Sequence, residues 1–189
     1  MQFTCTIQTM AAPFVITDSH GQECYHVGTI PDVAERLGVR AAGGGQLAEI
    51  VRDPESSGFE VLIAGERAVL VRFRGLIQVQ CLVDTPAGSL NVRGNVLGGT
   101  YALCASTDIG ADPQVQVLRQ RQRATGWPGV KSKLDVGVAD GEDPVRCIAM
   151  VLGIEHLCED RGVEVDELRN GLRVVSRILG GHLRWPFPR

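Results

Sequence analysis

The stretch HGQECYH, residues 20–26, contains three side chains that could bind a soft metal ion: His20, Cys24 and His26. Imidazole nitrogen and thiolate sulfur are the ligands that zinc and copper prefer. On a strand, Cys24 and His26 point to the same face, and His20 at the preceding turn could reach back toward them. The stretch lacks a fourth ligand at a recognisable spacing, so we interpret it as a turn histidine followed by two ordinary strand residues. We therefore predict no metal and no other cofactor.

Catalytic signatures are missing from the sequence. Its four histidines and six cysteines do not form a G-x-S-x-G or a cysteine-protease pattern. The run Gly43, Gly44 and Gly45 is not followed by GK[ST] or by a strand-to-helix context, so it does not predict a phosphate loop. Most carboxylates occur in turns and at helix ends, where solvation and capping account for them. We predict that the protein is not an enzyme.

Basic side chains are concentrated on strand-like segments in which every second residue is a cation. If the last two of these strands pair, five cations gather on one wall, which would attract anionic head groups or phosphates by charge and by bidentate arginine geometry. The competing interpretation is a solvated outer face. The candidate residues for binding an anionic ligand are Arg72, Arg74, Arg119, Arg121, Arg123, Lys131 and Lys133.

A second basic group lies near the C-terminal end, where apolar residues recur at helical spacing from Val165 to Leu179. The apolar stripe would pack on the rest of the protein or on a second subunit. The alternative is an interfacial helix, with arginines on lipid head groups and aromatic residues at the membrane boundary. We favour protein packing, because the segment offers only one helix of about four turns. The candidate docking residues are Arg169, Arg173, Arg177, Trp185 and Phe187.

Short strands must position these residues, because hairpin signals recur up to about residue 140. FVITDSHGQECYHV predicts a strand, a turn and a second strand, and RLGVRAAGGGQLAEIVRD repeats that form around its glycines. FEVLIAGERAVLVRFRG repeats it again around Ala64, Gly65 and Glu66. We count roughly ten to twelve short strands, a spacing typical of a meander barrel or sandwich.

The segment DPVRCIAMVLGIEHLCED then predicts a helix over residues 144–158, with Asp143 as N-cap and Pro144 in the first turn. Residues 147–154 are uncharged on every face, so this helix must be buried all round. A barrel of this strand count has a lumen that a helix can fill. We expect Gly153 to allow a close approach of a strand, and Glu155 to begin the return to water. Arg146 should lie at the barrel mouth, bound to Asp143 or a strand carbonyl.

Composition adds weaker expectations. The net charge of −3 argues against dedicated nucleic-acid binding. The N-terminal residues lack the basic and apolar regions of a secretory signal, and the sequence lacks an apolar run of about 18 residues that could span a membrane. The six cysteines are scattered, which fits reduced thiols. We expect a cytoplasmic protein, peripheral at a membrane if it binds lipid.

The ordered set of segments up to residue 160 resembles the tubby-like superfamily, and within it the LURP-one-related branch. FVITDSHGQECYHV resembles the opening hairpin, LNVRGNVLGGTYAL the Gly-Asn strand pair, and KSKLDVGVADGEDPVRCIAMVLGIEHL the last strand running into the core helix. The resemblance implies a closed barrel around a central hydrophobic helix. In eukaryotic members it implies work on membrane phospholipids. The calcium segment of the related scramblases is not recognisable, since Asp140, Glu142 and Asp143 supply too few ligands.

These observations predict a mainly β fold, a closed antiparallel barrel of about twelve strands around a central helix. The barrel would span residues 1–161, and residues 162–189 would form an amphipathic helix with a basic, aromatic tail. We expect a non-catalytic binding module for anionic phospholipid head groups or a phosphorylated ligand. The alternative is a protein-interaction scaffold that self-associates or docks through its C-terminal helix. A small-ligand carrier is a third hypothesis, disfavoured because the helix would fill the lumen.

Overall fold

The computed structural model describes residues 1–10, 12–31, 36–53, 58–74, 80–96, 99–105, 112–123 and 130–159. Within the strands, the side chains of residues 73, 74, 80, 121–123, 130 and 131 are not described. The predicted C-terminal helix and tail, with all five of their candidate docking residues, lie outside the described residues.

Twelve strands make up most of this fold, in the order in which the hairpin signals predict them. Their bounds are β1 Gln2–Ile7, β2 Phe14–Asp18, β3 Glu23–Thr29, β4 Arg36–Ala41, β5 Gln46–Asp53, β6 Gly58–Ile63, β7 Glu66–Arg74, β8 Gln80–Thr85, β9 Gly88–Asn95, β10 Thr100–Ala105, β11 Val115–Arg123 and β12 Val130–Val138.

Each strand pairs antiparallel with the next, and β1 pairs with both β2 and β12, which closes the barrel. Cys5 of β1, for example, is opposite Ile16 of β2 on one side and Leu134 of β12 on the other. The turn between β6 and β7 places Ala64 and Gly65 at positive φ, 52° and 81°. Two consecutive positive φ values give the turn the twist that a two-residue hairpin needs. The predicted closed, mainly β barrel of twelve strands is confirmed.

The helix covers residues 144–159 and begins as predicted. The Asp143 carboxylate accepts a hydrogen bond from the Val145 amide at 2.9 Å, which caps the first turn. Cys147 to Leu152 and Ile154 are each at most 2% exposed, and they pack in one cluster with the inward-facing strand residues. The helix is therefore buried on all its faces. Its course along the barrel axis stays a prediction, which this burial supports.

Three local expectations about the helix need correction. A methyl group at Gly153 would lie 3.5 Å from Cγ2 of Val71, an ordinary contact, so the strand is not close enough to require glycine. Arg146 donates to Glu142, one helical turn earlier, at 2.6 Å, and among the described residues it binds neither Asp143 nor a strand carbonyl. Glu155 is only 5% exposed and does not return the chain to water. In the part of the chain that the structure describes, no helix has both the length and the apolar character needed to cross a membrane.

Candidate functional site

Glu155, on the last part of the helix, accepts two hydrogen bonds from the barrel wall. The Tyr101 hydroxyl of β10 donates to its Oε1 at 3.0 Å, and the Arg119 guanidinium of β11 donates to its Oε2 at 2.6 Å. The side chains of the ion pair are almost fully buried, 7% exposed for Arg119 and 5% for Glu155. We call Tyr101, Arg119 and Glu155 the buried carboxylate cluster. Sequence reasoning placed Arg119 in an anion-binding wall and missed the other two residues.

Gly99, in the segment NVRGNVLGGTYAL, makes room for this cluster. Gly99 has a φ of 82°, and a Cβ added to it would lie 2.6 Å from Cβ of Arg119 and 2.7 Å from its Nε. Any side chain there would collide with the arginine and strain the backbone. The Arg119 guanidinium also donates to the carbonyl of Val96 at 3.2 Å. The glycine therefore lets the arginine lie across the end of β10 and reach the helix.

Burial and neighbouring charges fix the protonation states of Tyr101 and Arg119 in the buried carboxylate cluster. Burial raises the pKa of the Tyr101 hydroxyl well above its ordinary value, and the negative charge of Glu155 adds to the effect. Burial, the largest single effect, lowers the pKa of the Arg119 guanidinium, but attraction to Glu155, Cys158 and Tyr101 and the hydrogen bond to Glu155 together outweigh it, so the net pKa is raised. Arg119 thus stays charged and Tyr101 neutral, each donating to the same carboxylate. This arrangement attaches the helix to the barrel wall. The Arg119 guanidinium is bound by groups of the protein itself.

Two further contacts hold the same end of the helix. Glu159 accepts a hydrogen bond from the backbone amide of Met10 at 2.9 Å. The His156 ring stacks on Phe59 of β6, with ring centroids 4.3 Å apart and an interplanar angle of 22°. The helix end is thus attached to the wall at β6, at β10 and β11, and at the segment after β1.

The predicted wall of five cations on β11 and β12 is not formed as expected. The two strands pair, but Arg119 is opposite Leu134, while Lys133 is opposite Gln120. Directly opposed residues share a face, so Arg119 and Lys133 lie on different faces of the sheet. Arg119 points inward, whereas Lys133 is 39% exposed and lies 3.2 Å from Asp135. The expectation failed because it assigned faces without knowing the register.

Arg72 lies on the barrel surface, as the solvated-face interpretation expects, and has an acidic partner. Its guanidinium donates to Asp84 of β8 at 2.6 Å, and the Ser89 hydroxyl donates to the same carboxylate at 2.7 Å. The hydrogen bond from Ser89, followed by that from Arg72, lowers the pKa of Asp84. The side chain of Arg74 lies outside the described part of the structure.

The remaining strand cations stand where β11 and β12 approach their connecting residues. The backbone places Arg121 opposite Ser132, Gln122 opposite Lys131, and Arg123 opposite Val130. Residues 119–134 carry five cations and no acid, in a chain whose net charge is −3. We call residues 119–134 the cationic hairpin. The side chains of Arg121, Arg123 and Lys131 lie outside the described part.

The three suspected metal ligands are not assembled into a site. His20 is exposed at its turn, His26 lies 3.3 Å from Glu23, and the Cys24 thiol is directed to the carbonyl of Gln22 at 3.5 Å. Among the described residues, no group of three His, Cys, Asp or Glu side chains is arranged to hold a metal ion. All six cysteines are free thiols.

Comparison with known proteins shows that the fold is similar to that of a solved structure. No protein-family model and no curated protein matches this chain. An X-ray structure of a protein from Arabidopsis thaliana is similar, with a TM-score of 0.55 and 15% sequence identity. The likeness covers 82% of this chain and 90% of that one. At this identity it shows the fold alone, so the closed barrel with its helix is a known architecture.

Proposed function

We propose that this protein is a non-catalytic binding module of the tubby-like kind, in its LURP-one-related branch. It would recognise anionic phospholipid head groups through the cationic hairpin. The order of the sequence segments and the closed barrel support the family. The observation that carries the ligand is the charge of the hairpin, which has five cations and no acid.

Several other described cations of the protein are paired with acids, and this contrast with the hairpin strengthens the proposal. Four of the others are each paired with an acid: Arg36 with Glu49, Arg67 with Glu60, Arg72 with Asp84, and Arg146 with Glu142. Exposed pairs of this kind contribute little to stability, and they offer an incoming anion little net charge. Within the hairpin, Glu155 and Asp135 compensate Arg119 and Lys133. Arg121, Arg123 and Lys131 are the remaining cations of the hairpin, and we infer that these supply the charge for a ligand. Since the register puts the two arginines and the lysine at alternate positions, they would reach the ligand from both faces of the hairpin end.

The connecting residues of the hairpin also suit a membrane surface. Residues 124–129, ATGWPG, place Trp127 between the two cationic strands in the sequence. Tryptophan is favoured at the boundary between lipid head groups and acyl chains. Cations near an anionic leaflet contribute about 1 kcal/mol each, so three of them give weak, salt-dependent binding. We expect the hairpin to orient the barrel on such a surface despite its net negative charge.

Vesicle co-sedimentation tests this function. The full chain should bind vesicles of phosphatidylcholine with phosphatidylserine, and not vesicles of phosphatidylcholine alone. The triple variant R121A/R123A/K131A should bind about a hundredfold more weakly, at about 1 kcal/mol per cation removed. The matched control is R36A/R40A/R67A, which removes the same charge from β4 and β7 and should retain the binding.

Equal loss in both triple variants would contradict the hairpin as the site, since only net charge would then matter. Equal binding to both vesicle types would exclude recognition of anionic head groups. A soluble competitor distinguishes the two sources of phosphate. If inositol hexakisphosphate binds the hairpin but anionic vesicles do not, the ligand is a free phosphorylated molecule rather than a membrane.

A further inference from the structure

A polar pocket of about 410 Å³ lies on the barrel surface where β1 and β2 meet their connection. Thr4, Thr6 and Thr17 line it with hydroxyl groups, and Gln8 adds a side-chain amide. None of its lining residues is charged at neutral pH. A pocket of this volume is within the range of small-molecule sites. We call it the β1–β2 pocket.

One side of the pocket is flanked by a row of residues with an acid at each end. Asp135 of β12 is opposite Thr4, Thr4 is opposite Thr17, and Thr17 is opposite Glu23 of β3. Directly opposed residues share a face of the sheet, so both acids lie beside the threonines on the outer surface. The Thr4 hydroxyl donates to the Asp135 carboxylate at 2.8 Å, which holds that carboxylate at the pocket edge. This side would attract an ammonium group.

The next row, two strand residues away, carries cations instead. Lys133 of β12 is opposite Thr6, and His26 of β3 is opposite Val15. Arg40 of β4 follows in the same row, opposite His26. The lysine and the arginine are charged at neutral pH, and the histidine adds a charge when it is protonated. This side of the pocket would attract a carboxylate.

The charges of the two rows are paired with each other across the edges of the pocket. Lys133 lies 3.2 Å from Asp135, and His26 lies 3.3 Å from Glu23. Exposed pairs of this kind contribute little to stability, so the charges of a ligand can replace them at small cost. A ligand with one charge would satisfy one row and leave the other without its partner. A ligand with both charges satisfies the two rows together.

The spacing of the rows selects the length of such a ligand. Two strand residues rise about 6.6–6.8 Å, and an extended dipeptide, which is also two residues long, spans about the same distance. We propose that the β1–β2 pocket binds a free peptide of dipeptide size, with its ammonium group beside Asp135 and its carboxylate beside Lys133. The peptide group of the ligand would lie against hydroxyl and amide groups that can both donate and accept. This inference is independent of the proposed lipid binding, because it does not use the three cations assigned to the lipid.

An NMR titration of the isotope-labelled full chain tests the inference with three ligands of similar size. Glycylglycine carries both charges, N-acetylglycylglycine carries only the carboxylate, and glycylglycinamide carries only the ammonium group. We expect glycylglycine to shift the amide signals of Thr6 and Thr17, with a dissociation constant in the millimolar range. Either ligand with one charge should bind at least about tenfold more weakly, because it loses a hydrogen-bonded charge contact.

Two double variants that keep the net charge separate the pocket from the rest of the surface. K133Q/D135N removes one cation and one acid beside the pocket, and should weaken glycylglycine binding at least about tenfold. The matched control is E60Q/R67Q, which removes an exposed pair of the same kind on β6 and β7 and should bind like the unmodified chain. Thr6→Phe fills the pocket with a residue that strands favour. It should abolish binding, while the thermal midpoint of the barrel stays close to that of the unmodified chain.

Four results would overturn the inference. If a ligand with one charge binds as tightly as glycylglycine, the pocket does not recognise a zwitterion. Undiminished binding by K133Q/D135N or by Thr6→Phe would reject the pocket as the site. Unshifted Thr6 and Thr17 amides at high glycylglycine concentration would reject the ligand class. Co-sedimentation of the unmodified chain, but not of K133Q/D135N, with phosphatidylcholine vesicles would assign the pocket to a zwitterionic lipid head group instead of a free peptide.

Discussion

Glu155 shows how one side chain can have a different role from the one its sequence context suggests. It follows an apolar run in the helix, where a first acid usually marks the return to solvent. Here its two oxygens accept hydrogen bonds from Tyr101 and Arg119, on adjacent strands of the wall. A buried charge of this kind is tolerated only with a well-oriented partner. The carboxylate therefore attaches the helix end to the barrel.

Removing the charge of Glu155 should be costly. We expect Glu155→Gln to lower the free energy of unfolding by about 3–5 kcal/mol, because it leaves the Arg119 guanidinium buried without its counter-ion. The exposed pair of Arg67 and Glu60 is the control, and Glu60→Gln should cost about 0–1 kcal/mol. Urea unfolding measures both. The double variant R119M/E155L, which removes both charges, should recover most of the lost free energy of unfolding. A loss as small as that of Glu60→Gln would contradict the proposed attachment.

At the scale of elements, the sequence predicts the strands and helix well, because each rests on local signals. The hairpin turns and the cap at Asp143 can be identified within a few residues. The register of β11 against β12 cannot, because it depends on the closure of the whole barrel. A shift of one residue exchanges the two faces of a strand. Arg119 was therefore assigned to the wrong wall, and its partner lies 36 residues away in the sequence.

Replacement by alanine should have opposite effects on stability at Gly153 of the helix and at Gly99 before β10. Gly153→Ala should stabilise the helix by up to about 1 kcal/mol, because the added methyl makes ordinary contacts with Val71 at 3.5 Å and Phe59 at 3.9 Å and glycine is the poorer helix former. Gly99→Ala should destabilise by about 1–3 kcal/mol, because its φ of 82° is strained for alanine and the methyl collides with Arg119. Urea unfolding midpoints of the two variants provide the test. Destabilisation by Gly153→Ala would show that the helix and β7 are packed more tightly than these contacts indicate.

For the molecule as a whole, enclosing an apolar helix in a closed barrel places ionisable groups in a dry core. Burial raises the pKa of the Cys5 thiol from 9.0 to about 12, and that of the Cys147 thiol to about 11. The pKa of the Cys81 thiol and that of the Tyr101 hydroxyl are raised in the same way. All are neutral in the folded state at pH 7. The barrel thus depends on keeping these groups protonated.

This burial predicts a loss of stability in alkali. Above pH 9 the unfolded chain releases thiol protons that the folded protein retains, so the free energy of unfolding falls as pH rises. The Cys5, Cys81 and Cys147 thiols each contribute a slope of up to about 1.4 kcal/mol per pH unit, ending near the folded-state pKa of each. Reduced protein unfolded by urea from pH 8 to pH 11 measures that slope. Cys147→Ala should reduce this slope by the contribution of one thiol, because the pKa of Cys147 is about 11 in the folded protein. Cys24→Ala, at a partly exposed thiol, should change it less. A slope unchanged by Cys147→Ala would mean that the helix thiol is open to solvent, and that the barrel does not enclose the helix as described.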